Sequence, residues 1–158
     1  MAVITHARTK SRLAKMIDAP GGVSIGAALA QARANIEAKR AEAMTVIDVQ
    51  IAVLESVLPP ANLSEQGLQL NEAYRAANGV IDAASPFELV DLCQAASGLC
   101  DLIDSARPDQ LFDWRIVTVH ARTLHLLQML PLEETAARNT VLDSLKSVAD
   151  RKLQPPTA

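Results

Sequence analysis

Aromatic side chains are almost missing from this chain: one Trp, one Tyr and two Phe, 3% of 158 residues. So few flat rings leave little platform for stacked nucleic-acid bases. They also require a core of Ala, Leu, Val and Ile, since hydrophobic residues still make up 49% of the sequence. Charge of one sign is lacking as well. Fifteen Lys and Arg stand against 18 Asp and Glu, a net charge of -3, so the molecule as a whole carries no electrostatic footprint for nucleic acid. No run approaches the roughly 18 consecutive apolar residues of a membrane span. The opening Met1-Ala2-Val3-Ile4-Thr5-His6 has no apolar secretion segment. A soluble cytoplasmic protein is therefore expected. Only two cysteines occur, Cys93 and Cys100. On one helix they would sit about 10 Å apart along the axis, beyond the ~7 Å that a disulfide spans. They are expected to be small buried hydrophobes, with no His or Cys neighbours at zinc-ligand spacing. Nucleophile elbows, phosphate loops, dinucleotide fingerprints and metalloprotease motifs are absent, so neither an enzyme nor a cofactor is expected.

What is present reads as helix throughout, and the expected fold class is all-α. Residues 1–21 form a basic arm, with Arg8, Lys10, Arg12 and Lys15 ahead of Asp18 and a Pro20-Gly21-Gly22 exit. A helical domain over 22–152 and a loose tail over 153–158 complete the organisation. From Ser24, a candidate N-cap, to Leu58, a Pro-free stretch carries Ile25, Leu29, Ala32, Ile36, Ala43, Ile47, Ile51, Leu54 and Leu58 at helical spacing. Pro59-Pro60 stops it. As one helix it would run roughly 50 Å. It must then overhang shorter partners or bend, and an overhanging amphipathic end would invite homodimerisation. A second helix is expected over about Ser64 to Ala84, with Leu70, Ala73, Tyr74, Ala77, Val80, Ile81 and Ala84 inward. Ser85-Pro86-Phe87-Glu88 reads as a capping box opening a third helix, whose inward residues are Leu89, Leu92, Cys93, Ala96, Leu99, Cys100 and Ile103. A fourth, capped by Asp109 or Asp113, turns Trp114, Val117, Ala121, Leu124 and Leu127 inward. A last helix over Leu132 to Lys152 turns in Ala137, Val141, Leu145 and Val148.

The second helix holds the most informative segment. Its exposed face is predicted to be Asn71, Arg75, Asn78 and Asp82, with Gly79 beside them. Glycine within a helix costs on the order of 1 kcal/mol relative to alanine, so Gly79 is either simply tolerated there or answers to the close approach of another chain segment. That segment is either a partner's backbone or a neighbouring helix of the same chain.

The stretch Arg75-Ala76-Ala77-Asn78-Gly79-Val80-Ile81-Asp82-Ala83-Ala84-Ser85, with Leu89, Leu92 and Cys93 after it, resembles the signature of histidine phosphotransfer (HPt) domains. Those are helical bundles that relay phosphoryl groups to response regulators. Aligned without gaps, the family's Lys-Gly falls on Asn78-Gly79, its turn glycine on Ser85 and its Leu and Leu-Cys on Leu89, Leu92 and Cys93. The phospho-accepting His falls on Arg75. Cys100-Asp101-Leu102-Ile103-Asp104 and Val119-His120-Ala121-Arg122-Thr123-Leu124 further resemble the small HPt-like proteins of chemotaxis clusters called CheE. The resemblance implies a four-helix bundle with a long first helix and an additional terminal helix.

It also implies a departure from the family's chemistry. Imidazole accepts phosphate through a free lone pair, whereas guanidinium offers only donors. Arg75 therefore cannot replace the histidine, and Asn78 lacks the cation that would steady a phosphoryl group. The expected function is a non-catalytic HPt-like protein that binds a response-regulator receiver domain, with a histidine kinase as a second candidate partner. Arg75 would enter the receiver's acidic pocket. Alternatives are a working phosphotransfer protein using His120 or His125, and a structural helical adaptor. His120 shares a face with Ile116, Thr123 and Leu127 and is expected to pack; His125 lies on a more polar face with Thr118 and Arg122.

Overall fold

The computed structural model describes residues 21–153. The expected basic arm and most of the expected tail therefore lie outside the described residues. Six α-helices and one short 3₁₀ turn occur there, and no strand. They are α1 (Ile25–Glu37), α2 (Arg40–Ser56), α3 (Leu63–Ala84), α4 (Val90–Asp104), α5 (Arg115–Met129) and α6 (Thr135–Leu153), with the 3₁₀ turn Ser85–Phe87 between α3 and α4. The chain divides into two compact units between Asn35 and Ile36.

The first unit's described structure is most of α1. Ser24 caps it, its Oγ accepting from the Ala27 N–H at 3.2 Å, and none of the helix's residues is buried. The inward roles expected for Ile25, Leu29, Ala32 and Ile36 are thus not found. The single long helix is also corrected to two helices. The Lys39 N–H reaches back three residues to the Ile36 carbonyl at 2.8 Å, and Lys39 sits at φ -95°, ψ -3°, in the bridge region between helix and strand. Ion pairs at i,i+3, Arg40 with Glu37 at 2.6 Å and Lys39 with Glu42 at 2.8 Å, flank this tightened turn. The Arg40 guanidinium lies over the Phe87 ring at 4.9 Å. No Pro or Gly marks the place.

In the second unit α2, α3, α4 and α5 close a ring in which each packs on the next and α5 returns to α2; α6 lies against α4 and α5. The core is aliphatic, as the lack of aromatics requires. Ile47, Ile51 and Leu54 of α2, Leu92 and Leu99 of α4, and Leu124 and Leu127 of α5 are all fully enclosed. Each such side chain contributes about 1.5–3 kcal/mol relative to exposure. The inner face of α3 is different: Ala73, Ala76, Ala77 and Ala84 surround Val80. Leu58, expected inward, is exposed beyond the end of α2.

Two helix ends differ from the sequence reading. α3 begins at Leu63, one residue before the expected start near Ser64, with Asn62 as its cap. The Asn62 Oδ1 accepts from the Glu65 N–H at 3.1 Å, and Glu65 reaches back to accept from the Ala61 N–H at 3.3 Å. Ser85 is no N-cap: it stays helical and its N–H donates to the Ile81 carbonyl. The chain leaves the 3₁₀ turn through Glu88 at φ 56°, ψ 31°. The Leu89 N–H bonds the Ala84 carbonyl at 3.4 Å and the Glu88 N–H bonds Ser85 at 3.1 Å. This is a Schellman closure with Glu where Gly usually stands, and the buried Leu89 supplies its hydrophobic contact. A side chain in the left-handed region costs about 1–2 kcal/mol, so α4 starts at Val90 against local preference.

Arg138 ties three helices together. It is 3% exposed, so α6 buries a charge next to Ala137, which the sequence pattern had placed inward and which is exposed. The Arg138 Nε donates to the Asp91 carboxylate in the first turn of α4. Its Nη1 donates to the Leu127 and Leu130 carbonyls, each at 2.6 Å, which closes the C-terminal end of α5. Arg138→Ala would leave these groups without donors. Breaking a buried charged network costs about 3–5 kcal/mol. Urea unfolding of the variant should show a loss of at least about 2 kcal/mol, Arg138→Lys an intermediate loss, and a neutral result would remove the clamp from the account.

Candidate functional site

The outer face of α3 follows from its inner one. With the alanine face turned into the ring, the residues on the opposite side of the helix are those the sequence singled out. Asn71, Arg75 and Asp82 are exposed, and Asn78 and Gly79 are half-buried along the two edges of the stripe. The Arg75 guanidinium makes no ion pair among the described residues. One residue missed in the sequence shares this face: Leu68 stands one turn before Asn71 and is 76% exposed. Its signal was available, since the spacing Leu68, Asn71, Arg75 and Asp82 is that of one helix face and an apolar member on a polar stripe is an exception.

Asn78 and Gly79 point to different neighbours. The Asn78 Oδ1 is the acceptor for a weak contact from the Cys100 Sγ of α4 at 3.8 Å. Burial pushes the Cys100 thiol up to about 11, with the carboxylates of Asp104 and Asp101 adding to the effect. Cys93 is half-buried, both cysteines are free, and burial raises the Cys93 thiol too. These are unreactive thiols, since the thiolate is the nucleophile. Gly79 faces α2. A Cβ there would come within 2.8 Å of Gln50 Cδ and 2.9 Å of Gln50 Cγ. The segment that approaches Gly79 is therefore a side chain of the same chain.

Two grooves flank the α3 ridge. On the α2 side, a groove of about 550 Å³ has Val53 and Ala76 among its lining, with Leu68, Gln50, Asn71, Glu72 and Arg75 around them. On the α4 side, one of about 450 Å³ runs from Gly67 and Asn71 past Tyr74 to Ile103 and Pro108. Asn71 lines both. Under the second groove, the buried Gln66 holds the 106–114 connection. Its Oε1 accepts from the Phe112 N–H at 2.6 Å and its Nε2 donates to the Gln110 carbonyl at 3.1 Å. That connection also carries the start of α5, whose cap residue is Trp114, without a side-chain cap bond, rather than the expected Asp109 or Asp113; the Asp113 carboxylate, one residue earlier, accepts from the Arg115 N–H at 3.2 Å. Asp109 instead pairs with Arg107 at 2.8 Å.

The two described histidines have opposite environments. His120 is 1% exposed; its Nδ1 donates to the Ile116 carbonyl at 2.8 Å. The other nitrogen, Nε2, is therefore the lone-pair atom, and it is buried without a partner among the described residues, facing Gly98 of α4. Burial lowers the basicity of this ring, and the Ile116 carbonyl offsets only part of that. His125, on the adjoining face, is half-exposed with Nδ1 3.3 Å from the Glu55 Oε1. No group of three or more His, Cys, Asp or Glu side chains among the described residues is placed to hold a metal ion. No described helix is long and apolar enough to cross a membrane.

His120 gives the fold a pH dependence. Its folded-state basicity is below the unfolded value of about 6.5, so the unfolded chain binds the proton more readily. The stability it contributes is complete above that value and is lost as pH falls toward the lowered folded value. Urea unfolding from pH 7.5 to pH 5 should show falling stability, with His120 adding at most about 1.4 kcal/mol per pH unit. His120→Met should flatten that slope; an unchanged slope would show that other groups carry it.

No family model matches the chain, and no curated protein or solved structure matches it.

Proposed function

We propose that the chain is a docking protein of the HPt-like kind that binds a response-regulator receiver domain through the outer face of α3. In this reading it modulates two-component signalling, in the chemotaxis setting that the CheE resemblance implies, without carrying a phosphoryl group on that face. The observation that carries it is the pairing on one ridge of an exposed leucine, Leu68, with an arginine that has no ion-pair partner among the described residues, Arg75, beside a groove that Val53 and Ala76 help to line. Interfaces concentrate their energy in such clusters, where an arginine fork meets carboxylate or phosphate and an apolar side chain is desolvated next to it. A receiver's acidic pocket supplies the carboxylates. The closed ring of α2 to α5 is consistent with the four-helix architecture that the resemblance implies, with α6 as the additional helix.

Arg75 is where the family's histidine falls, so a phosphoryl group has no acceptor on this face. A second reading keeps phosphotransfer and places it on His125. The Glu55 carboxylate at Nδ1 would fix the tautomer that leaves the Nε2 lone pair free, and the ring is accessible. His120 offers no such access, because its Nε2 is enclosed.

Titration against candidate receiver domains, unphosphorylated and phosphate-mimicked, separates the readings. Arg75→Glu and Leu68→Asp should each weaken binding at least about tenfold, or 1.4 kcal/mol, while Arg122→Glu on the outer face of α5 leaves it unchanged. Gly79→Arg is a poor probe, since it would strike Gln50. Undiminished affinity in both α3 variants contradicts the proposal. An added phosphoryl mass on His125 after incubation with a phosphorylated receiver would favour the second reading.

A further inference from the structure

Gly79 makes room for one side chain. A Cβ there would meet Gln50 Cδ at 2.8 Å, Cγ at 2.9 Å and Oε1 at 3.0 Å, whereas one on Gly67 of the same helix would meet nothing within 4 Å. Gln50 of α2 thus lies flat across the α3 backbone, in a seat that a methyl group would fill. The neighbouring small positions, Ala76, Ala77, Ala83 and Ala84, all hold alanine, the better helix former. At position 79 the helix gives up that stability.

What the seat holds is bonded to nothing in the chain. Gln50 is half-buried, and its carboxamide neither donates nor accepts a hydrogen bond among the described residues. The stability given up at Gly79 is therefore not returned as a hydrogen bond in the free chain. A carboxamide offers two donors on nitrogen and an acceptor oxygen. Gln50 brings them from α2 to the groove that Arg75 lines from α3. Packing against Gly79 also removes freedom that a long side chain would otherwise lose on binding.

We infer that Gln50 belongs to the docking face and that Gly79 is a positioning residue acting through it. The inference rests on the receiver-binding reading and sharpens the partner it requires. Beside the carboxylates that meet Arg75, the partner presents an open peptide group, whose N–H donates to the Gln50 Oε1 and whose carbonyl accepts from its Nε2. Peptide groups inside a helix are already bonded to one another, so this part of the partner is a loop at the rim of its acidic pocket.

Titration of the full chain against receiver domains, with urea unfolding of each variant to verify the fold, tests both parts. A neutral hydrogen-bonded contact corresponds to about threefold to tenfold in affinity, and Gln50→Ala should weaken binding by that factor. The side-chain ¹⁵N amide signal of Gln50 should shift when the receiver is added. Gly79→Ala turns the flexible Gln50 end away and should weaken binding as much, yet add nothing in a Gln50→Ala background. Unchanged affinity in Gln50→Ala, with Arg75→Glu still damaging, overturns the inference and leaves the docking face standing. A loss from Gly79→Ala that persists without Gln50 means that Gly79 meets the partner directly, which overturns its positioning role. If no receiver binds, or if neither Arg75→Glu nor Gln50→Ala weakens binding, the receiver reading falls and the inference with it.

Discussion

Everything positioned in the second unit depends on how closely α2 and α4 can approach α3. Beyond Gln66 and Leu70 near its start, the buried side chains of α3 are Ala73, Ala76, Ala77 and Ala84 around Val80. Short side chains bring helix axes together at the near end of the usual 8–10 Å. They force the larger Leu and Ile residues of α2, α4 and α5 to fill the centre of the ring. Gly79 extends the same rule to the edge of the α2–α3 contact, where Gln50 occupies the space a Cβ would need. The outer stripe of α3 is the remainder of this arrangement. A helix whose inner face is small and enclosed presents a polar ridge outward, and the two grooves lie along its sides.

An aliphatic core of this kind fixes volume better than it fixes direction, and three buried polar residues supply direction among the described residues. Gln66 satisfies a donor and an acceptor of the connection leading into α5. Arg138 joins the start of α4, the end of α5 and the start of α6. His120 satisfies one nitrogen and leaves the other bare. A buried polar atom without a partner carries a desolvation cost of about 1–3 kcal/mol, which makes the α4–α5 contact the place where acid should loosen the bundle first.

The sequence was legible wherever periodicity decides. Leu92, Ala96 and Leu99, or Val117, Ala121 and Leu124, recur at helical spacing and are buried as that spacing requires. It was illegible where a contact between distant residues overrides a local signal. Glu88 takes the position a glycine would mark, so the turn before α4 reads as a capping box. The break at Ala38-Lys39 has no helix-breaking residue, and the Arg40 guanidinium next to it lies over the ring of Phe87, far along the chain. Arg138 and Gln66 look like surface residues until their carbonyl, amide and carboxylate partners, 8 to 47 residues away, are in place. Of the candidate site, Asn71, Arg75 and Asp82 share the exposed face that helical geometry assigned them. Leu68 needed the burial pattern to stand out, and Gly79 needed Gln50 to explain it.

The central claim is that this ridge is a docking face, and chemical-shift mapping of the ¹⁵N-labelled chain against an unlabelled receiver domain tests it most directly. The account predicts that the largest perturbations cluster at Leu68, Asn71, Arg75, Asn78, Gly79 and Asp82, with α5 and α6 little changed. Perturbations centred on His125 and its α2 neighbours, with the α3 ridge silent, would contradict it.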